Sequence, residues 1–191
     1  MAEGIVLAGG YSSRFRTNKM TILLDGKPLI RHTVDTMKKH VTKVYVVTGF
    51  YHEEIVRLFL DDPRIETVRN ADFAKGMFTS IKQGVAMVKS DFFLIPGDCP
   101  LVEDSTYQLL LHSRGMIRVP VFETRRGHPI FVEKELIPEL LAEPDNSNLR
   151  QFRDRHEVTY VETDDEGIVR DIDTLTDLDE TSNKLKGETT K

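Results

Sequence analysis

Residues 4–19 read Gly-Ile-Val-Leu-Ala-Gly-Gly-Tyr-Ser-Ser-Arg-Phe-Arg-Thr-Asn-Lys. The apolar run at 5–8 has the length and composition of a buried strand. It breaks at Gly9-Gly10 into a polar loop carrying Ser12, Ser13, Arg14, Arg16 and Lys19. Paired glycines at a strand end leave backbone N–H groups open to an anion, because no Cβ stands in the way. Cations that follow closely can neutralise a polyphosphate. The segment therefore reads as a phosphate cradle at the carboxyl end of a first strand, or else as a Gly-rich turn with solvated charges. Neither the GxxxxGK[ST] spacing nor GxGxxG is present.

Outward from this segment, apolar runs alternate with helical patterns, which predicts an α/β protein with a mostly parallel central sheet. Strands are expected at 44–47, 65–68, 92–95 and 116–119, and helices at 28–40, 53–60, 76–88 and 105–112. Between 121 and 132 two β-rich arms flank Arg125-Arg126-Gly127-His128-Pro129, which suggests a small antiparallel excursion. Helices near 134–142 and 147–154 follow, then strands at 158–161 and 168–172, then a short helix at 174–180 capped by Thr174. The predicted layout is one domain over 1–180 and a polar, disordered tail over 181–191.

The chain has 191 residues, 39% hydrophobic and 30% charged, with a formal net charge of −5. An acidic balance argues against a general nucleic-acid binder. The single cysteine, Cys99, excludes an internal disulfide. No apolar run approaches the roughly 18 residues of a membrane span, and no signal-peptide pattern opens the chain, so a cytoplasmic protein is expected.

Three further places carry chemistry. Pro96-Gly97-Asp98-Cys99-Pro100 puts a carboxylate just past an apolar strand, where open α/β sheets gather ligands and where Mg2+ can bind; a turn aspartate is the alternative. In Asp171-Ile172-Asp173-Thr174, strand alternation would put both carboxylates on one face, unless Asp173 and Thr174 only start a helix. From Asn70 to Ser80, Gly76 and Ser80 mark a loop-to-helix transition that suits a base or an anion, or a plain capping loop. His128 can donate to a substrate or brace a turn. His40, His52, His112 and His156 have no ligand spacing, so no zinc site is assigned. Asp98 beside Cys99 raises the thiol pKa rather than activating it.

In this order the motifs resemble those of the MobA-like NTP-transferase superfamily, on the side of the molybdenum-cofactor cytidylyltransferases. Leu7-Ala8-Gly9-Gly10 through Arg14 to Lys19 resembles the nucleotide-binding signature, and Gly26-Lys27-Pro28-Leu29 the stretch that follows it. Asn70, Gly76-Met77 and Ser80 resemble the base- and ribose-binding segment, and Gly97-Asp98-Cys99-Pro100 the metal motif. Gly127-His128-Pro129 and Asp171-Ile172-Asp173-Thr174 resemble two later motifs.

The resemblance implies a Rossmann-like three-layer sandwich of the nucleotide-diphospho-sugar transferase type. It implies an enzyme that transfers NMP from an NTP to a phosphorylated acceptor and releases pyrophosphate, with Mg2+ as cofactor and molybdopterin as the acceptor that fits best. Leu7, Ala8, Gly9, Gly10, Pro96 and Gly97 would surround the nucleotide, with Asn70, Gly76 and Ser80 at its base and sugar. Arg14 and Lys19 would meet the phosphates, Asp98 and Asp173 would hold the metal, and Lys19, Arg14 and Asp98 would be catalytic. His128, Asp145 and Arg150 are the acceptor-side candidates. Implied partners are the NTP, a phosphorylated small molecule and a molybdoenzyme or cofactor chaperone, with no nucleic acid and no membrane, in a monomer or homodimer.

Two departures bear on substrate. Leu-Ala-Gly-Gly follows the guanylyltransferase pattern, while Gly-His-Pro and Asp-Ile-Asp-Thr follow the cytidylyl side, so CTP is favoured slightly over GTP. The stretch Glu143-Pro144-Asp145-Asn146-Ser147-Asn148-Leu149-Arg150 keeps Asp145 and Arg150 but lacks the glycines of the family's Gly-Asp-x-Gly-Ala-Arg segment. Transfer to a small sugar- or polyol-phosphate is therefore the alternative. A non-catalytic nucleotide-binding regulator is the reading from another class; it has no need of two convergent carboxylates, which repel without a cation.

Overall fold

The apolar run that opens the chain is a strand buried on both faces. A computed structural model describes residues 1–15 and 17–188, so Arg16 of the first loop lies outside the described residues. β1 (Glu3–Ala8) buries every residue from Gly4 to Ala8. Ile5 and Leu7 face one hydrophobic cluster, Val6 and Ala8 the other, as strand alternation requires. Covering both faces is what forces such a run to be continuously apolar.

A two-strand hairpin, β2 (Leu23–Leu24) and β3 (Lys27–Pro28), leads into α1 (Leu29–Met37). Its Asp25-Gly26 turn has positive φ at both positions, 49° and 78°, the two-residue turn whose twist suits a tight hairpin. The chain continues as β4 (Val44–Thr48), α2 (His52–Arg57), β5 (Ile65–Arg69), α3 (Met77–Val85), β6 (Phe92–Pro96) and α4 (Asp104–His112). β7 (Ile117–Phe122), β8 (Arg125–Arg126) and β9 (Ile130–Val132) come next. α5 (Ile137–Ala142), α6 (Leu149–Arg153), β10 (Val158–Glu162) and α7 (Leu175–Glu188) complete it.

The main sheet has the order β10-β7-β9-β6-β1-β4-β5, with β8 paired to β7. All its pairings are parallel except those of β8 and β9, so the antiparallel excursion predicted near 121–132 is present and threads β9 between β6 and β7. Helices α1, α2 and α4 cover one face through Val34, Ile55 and Tyr107. Helices α3, α5 and α6 cover the other through Ile81, Leu140 and Phe152, giving a three-layer α/β sandwich. From β1 the chain moves to one side, through β4 and β5, and returns by α3 to β6 on the other side. That reversal opens a crevice at the carboxyl ends of β1 and β6. No helix among the described residues is long and apolar enough to cross a membrane.

Two expectations are corrected. Residues 168–172 are not a strand. A 3-10 turn covers Glu166–Val169, and the segment docks one bond at a time: Ile168 O accepts from His128 N, and Ile172 N donates to Asp98 O, each at 2.9 Å. The apolar alternation reflects two buried anchors, Ile168 and Ile172, rather than a paired edge. The last helix does not stop near 180. Thr174 and Asp177 cap it reciprocally, and it runs to Glu188, with Thr181 buried and Lys184 paired to Glu166 at 2.6 Å. The polar segment from 181 is thus helical through 188, and 189–191 lie outside the described residues.

Candidate active site

The loop after β1 is built to deliver Lys19. Ser12, at φ 51°, turns the chain, and its Oγ accepts from Lys19 N at 3.1 Å. Asn18 caps the 3-10 turn Lys19–Thr21 through Met20 N and donates to Glu54 at 3.1 Å. With its backbone pinned at both sides, Lys19 sends its side chain into the crevice, where the residue is only 8% exposed.

There its Nζ donates to Asp98 Oδ2 at 2.7 Å and to Asp173 Oδ1 at 3.0 Å. Arg14 pairs with the second oxygen of Asp173 from the solvent side. Asp98 is held by its neighbours: Gly97 N donates to Leu7 O at 2.9 Å, and Thr33 Oγ1 donates to Gly97 O at 3.1 Å. Asp173 is placed by Ile172, which sinks against Leu24 and Leu29, so the unforeseen hairpin β2–β3 helps seat it. Burial opposes the Lys19 charge, but the two carboxylates outweigh it and hold the ammonium above its ordinary pKa. The Lys19 hydrogen bond, with help from Arg14, holds Asp173 below the usual carboxylate range. Burial and then Asp98 push the Cys99 thiol well up, which leaves it inert as a nucleophile.

These groups close one end of a cleft of about 390 Å3. Leu7, Ala8, Gly9, Gly10, Arg14, Lys19, Ser80, Pro96, Asp98 and Asp173 all line it. Gly9 meets Ser80 so closely that an added Cβ would stand 2.9 Å from the hydroxyl oxygen. Asn70, Gly76 and Gly97 are not in the lining. Asn70 is 0% exposed and spends its side chain internally: Nδ2 donates to Thr79 Oγ1 at 2.8 Å and Ser80 Oγ at 2.9 Å, and Oδ1 accepts from Asp72 N. Gly76 supplies φ 121°, a conformation other residues rarely adopt, at the start of α3. These residues shape the wall from behind. Met77 of the Gly76-Met77 pair also lines the cleft, as do Tyr11 and Phe73, which the motifs do not mark. The aromatic directly after Gly9-Gly10 was the available signal, and Tyr11 meets Phe73 with ring centroids 5.4 Å apart.

A second cleft of about 340 Å3 shares Leu7, Met77 and Pro96 with the first. His128 and Arg150 line it, joined by Arg126 and Arg153, which the sequence did not single out. His128 Nδ1 and Arg153 Nε are buried without a partner among the described residues, and burial lowers the His128 pKa. Asp145 is not brought to this cleft; it pairs with Lys82 at 2.8 Å.

The fit of a divalent metal can be judged from the donors. Asp98 and Asp173 converge on one cation, the Lys19 ammonium, beside an open cleft. Two protein carboxylates with room for phosphate oxygens suit Mg2+ or Mn2+. Among the described residues no cluster of three or more His, Cys, Asp or Glu forms a metal cage, so such an ion would draw its remaining ligands from substrate and water.

A three-layer fold with these parts at its topological switch point defines a class: the chain is a nucleotidyltransferase. Residues 4–159 match the MobA-like NTP transferase domain, and the chain belongs to that family. It is 28% identical over 91% of its length to a molybdenum cofactor cytidylyltransferase of Escherichia coli K12, 92% of which is covered. It is 30% identical over 85% of its length to a probable molybdenum cofactor guanylyltransferase of Bacillus cereus G9842, 84% of which is covered. The fold is shared with Rv0371C of Mycobacterium tuberculosis H37Rv, a structure in complex with manganese, at a TM-score of 0.77 and 19% identity, over 95% of this chain and 98% of that one.

Proposed function

We propose that this nucleotidyltransferase transfers NMP, from CTP in preference to GTP, to the phosphate of molybdopterin, with Mg2+ as its metal. The observation that carries the reaction is the convergence of Lys19, Asp98 and Asp173 at the end of the glycine cradle. The cytidylyl- and guanylyltransferase relatives support the acceptor.

The nucleotide lies in the first cleft, its phosphates along the backbone of Ala8, Gly9 and Gly10, its base and sugar toward Ser80 and the wall that Asn70, Gly76 and Gly97 shape. The acceptor lies in the second cleft. The shared wall of Leu7, Met77 and Pro96 brings the acceptor phosphate to the α-phosphorus. An oxygen of that phosphate forms the new P–O bond while the bond to pyrophosphate breaks in line. A phosphate monoester is mostly ionised near neutral pH, since its second pKa is about 6, so no general base is required. Positioning and charge neutralisation carry the acceleration. Arg14 and Lys19 offset the charge that builds on the leaving pyrophosphate. When bound at Asp98 and Asp173, the metal supplies further neutralisation of the phosphates.

The walls of the second cleft favour molybdopterin over a polyol phosphate. They are mainly apolar, three arginines line them, and no carboxylate does so among the described residues. Arg126, His128, Arg150 and Arg153 are the groups left to meet an anionic body. A molybdoenzyme or cofactor chaperone would receive the product.

Pyrophosphate release with Mg2+ tests this, with CTP, GTP, ATP and UTP set against molybdopterin, reduced molybdenum cofactor and a panel of sugar and polyol phosphates. Release with CTP, and less with GTP, only beside the pterin acceptor is the expected result. Release with a polyol phosphate instead would overturn the acceptor assignment, and tight NTP binding without turnover on any acceptor would overturn the reaction.

A further inference from the structure

The position of the Lys19 ammonium has a meaning beyond phosphate binding. Two carboxylates facing each other in a partly buried crevice need a cation between them. Without nucleotide that cation is Nζ of Lys19, at 2.7 Å from Asp98 and 3.0 Å from Asp173. These are the same two carboxylates that the proposed function assigns to the metal, and both bonds are charge-assisted; the Lys19 and Asp98 side chains are 10% and 16% exposed, and that of Asp173 42%.

Resting on that metal assignment, we infer that Lys19 is a stand-in for the divalent cation, and that it surrenders the carboxylates only when a triphosphate gives its ammonium a new anion. The backbone of Lys19 stays fixed through Ser12 and the capped 3-10 turn, so the exchange is a side-chain swing. The swing runs along the cleft that Lys19 itself lines together with Gly9, Gly10 and Arg14. Arg14, with 66% of its side chain exposed, meets the outer oxygen of Asp173 and does not occupy the inner position that Lys19 holds. A metal ion arriving alone must break two charge-assisted hydrogen bonds of Lys19 and leave a buried ammonium unpaired. Metal arriving with nucleotide does neither. The protein therefore takes metal and nucleotide together, and the residue that aids turnover suppresses binding of the bare metal.

The test uses Mn2+ alone as the probe, with free Mn2+ followed by electron paramagnetic resonance on the full chain. Lys19→Met, although it loses turnover, should bind Mn2+ without nucleotide at least about 10- to 100-fold more tightly than wild type, since the loss of even one of the two opposing charge-assisted hydrogen bonds is worth that much. Lys19→Arg, which keeps the charge, should bind as weakly as wild type. Asp98→Asn added to Lys19→Met should abolish the gain. Equal or weaker Mn2+ binding by Lys19→Met overturns the inference. If wild type takes up Mn2+ with CTP and Asp98→Asn loses that uptake while Lys19→Met shows no gain, the metal site stands and only the stand-in role falls. If Asp98→Asn leaves the CTP-dependent uptake intact, the metal site itself is misplaced. Should Lys19→Met fold poorly without metal, Lys19→Gln and the Mn2+-induced rise in melting temperature give the same comparison, with a rise no larger than that of wild type counting against the inference.

Discussion

Replacing Asp98 by Asn separates what this carboxylate does for the fold from what it does for the reaction. Asparagine keeps the shape, and its Oδ1 can still accept from Lys19 Nζ, now 2.7 Å from the Asp98 carboxylate. Lys19 also keeps Asp173 at 3.0 Å. The fold therefore loses only the charge component of one hydrogen bond, about 1 kcal/mol, given that charge-assisted bonds contribute about 1.5–3 kcal/mol and neutral ones about 1. In a chain of this size that lowers the melting temperature by about 2–4 °C. Turnover is a different matter. A pre-organised group aimed at charge that develops in the transition state is worth about 10²–10³ in rate, or about 2.7–4 kcal/mol. Asp98→Asn should therefore lose activity out of proportion to stability. Steady-state pyrophosphate release at saturating CTP, read beside thermal melting, measures both. A variant that melts near wild type and turns over within about tenfold of it would refute the placement of Asp98 in the catalytic machinery.

Lys19→Ala should cost the same 10²–10³ in turnover, by the loss of phosphate neutralisation, and near-normal rates in a folded variant would remove Lys19 from the mechanism. Asn70→Ala leaves Thr79, Ser80 and the Asp72 amide without their shared partner; it should cost on the order of 3 kcal/mol and raise the KM for nucleotide, and an unchanged melting curve would contradict its bracing role. Because the folded pKa of Asp173 lies below its ordinary value, its ion pairs contribute stability above about pH 4 that is lost as pH falls through the folded value. Melting curves of wild type and Asp173→Asn should accordingly converge on acidification below about pH 4, and a gap that persists at low pH would contradict the pairing. His128→Ala should raise the KM for the acceptor with the nucleotide KM unchanged; an equal rise in both would place His128 outside an acceptor cleft.

What could be read from the chain alone is local. The apolar run at 5–8, the break at Gly9-Gly10 and the aspartate after β6 each follow from a few neighbouring residues, because covering a strand on both faces leaves no room for polar side chains. The order of such segments was enough for the parallel sheet and for the cleft at its carboxyl ends. The Asp25-Gly26 pair is a local hairpin signal of the same kind.

Other features depend on which distant segments close upon one another. Lys19 reaches Asp98 across 79 residues and Asp173 across 154, and periodicity holds no information about such partners. Asn70 and Ser80 share one motif, yet packing turns Asn70 inward and Ser80 toward the cleft. Asp145 sits where the sequence suggests an acceptor contact, but Lys82, 63 residues earlier, pairs with it instead. The alternation at 168–172 matches a strand, but the segment docks through separate single hydrogen bonds at His128 and Asp98 rather than along a strand edge, and its isoleucines are buried anchors. Side-chain type and local pattern set which groups are available for chemistry. Long-range packing decides which of them meet, because a carboxylate or amide binds whatever counter-charge or donor the folded chain brings within 3 Å.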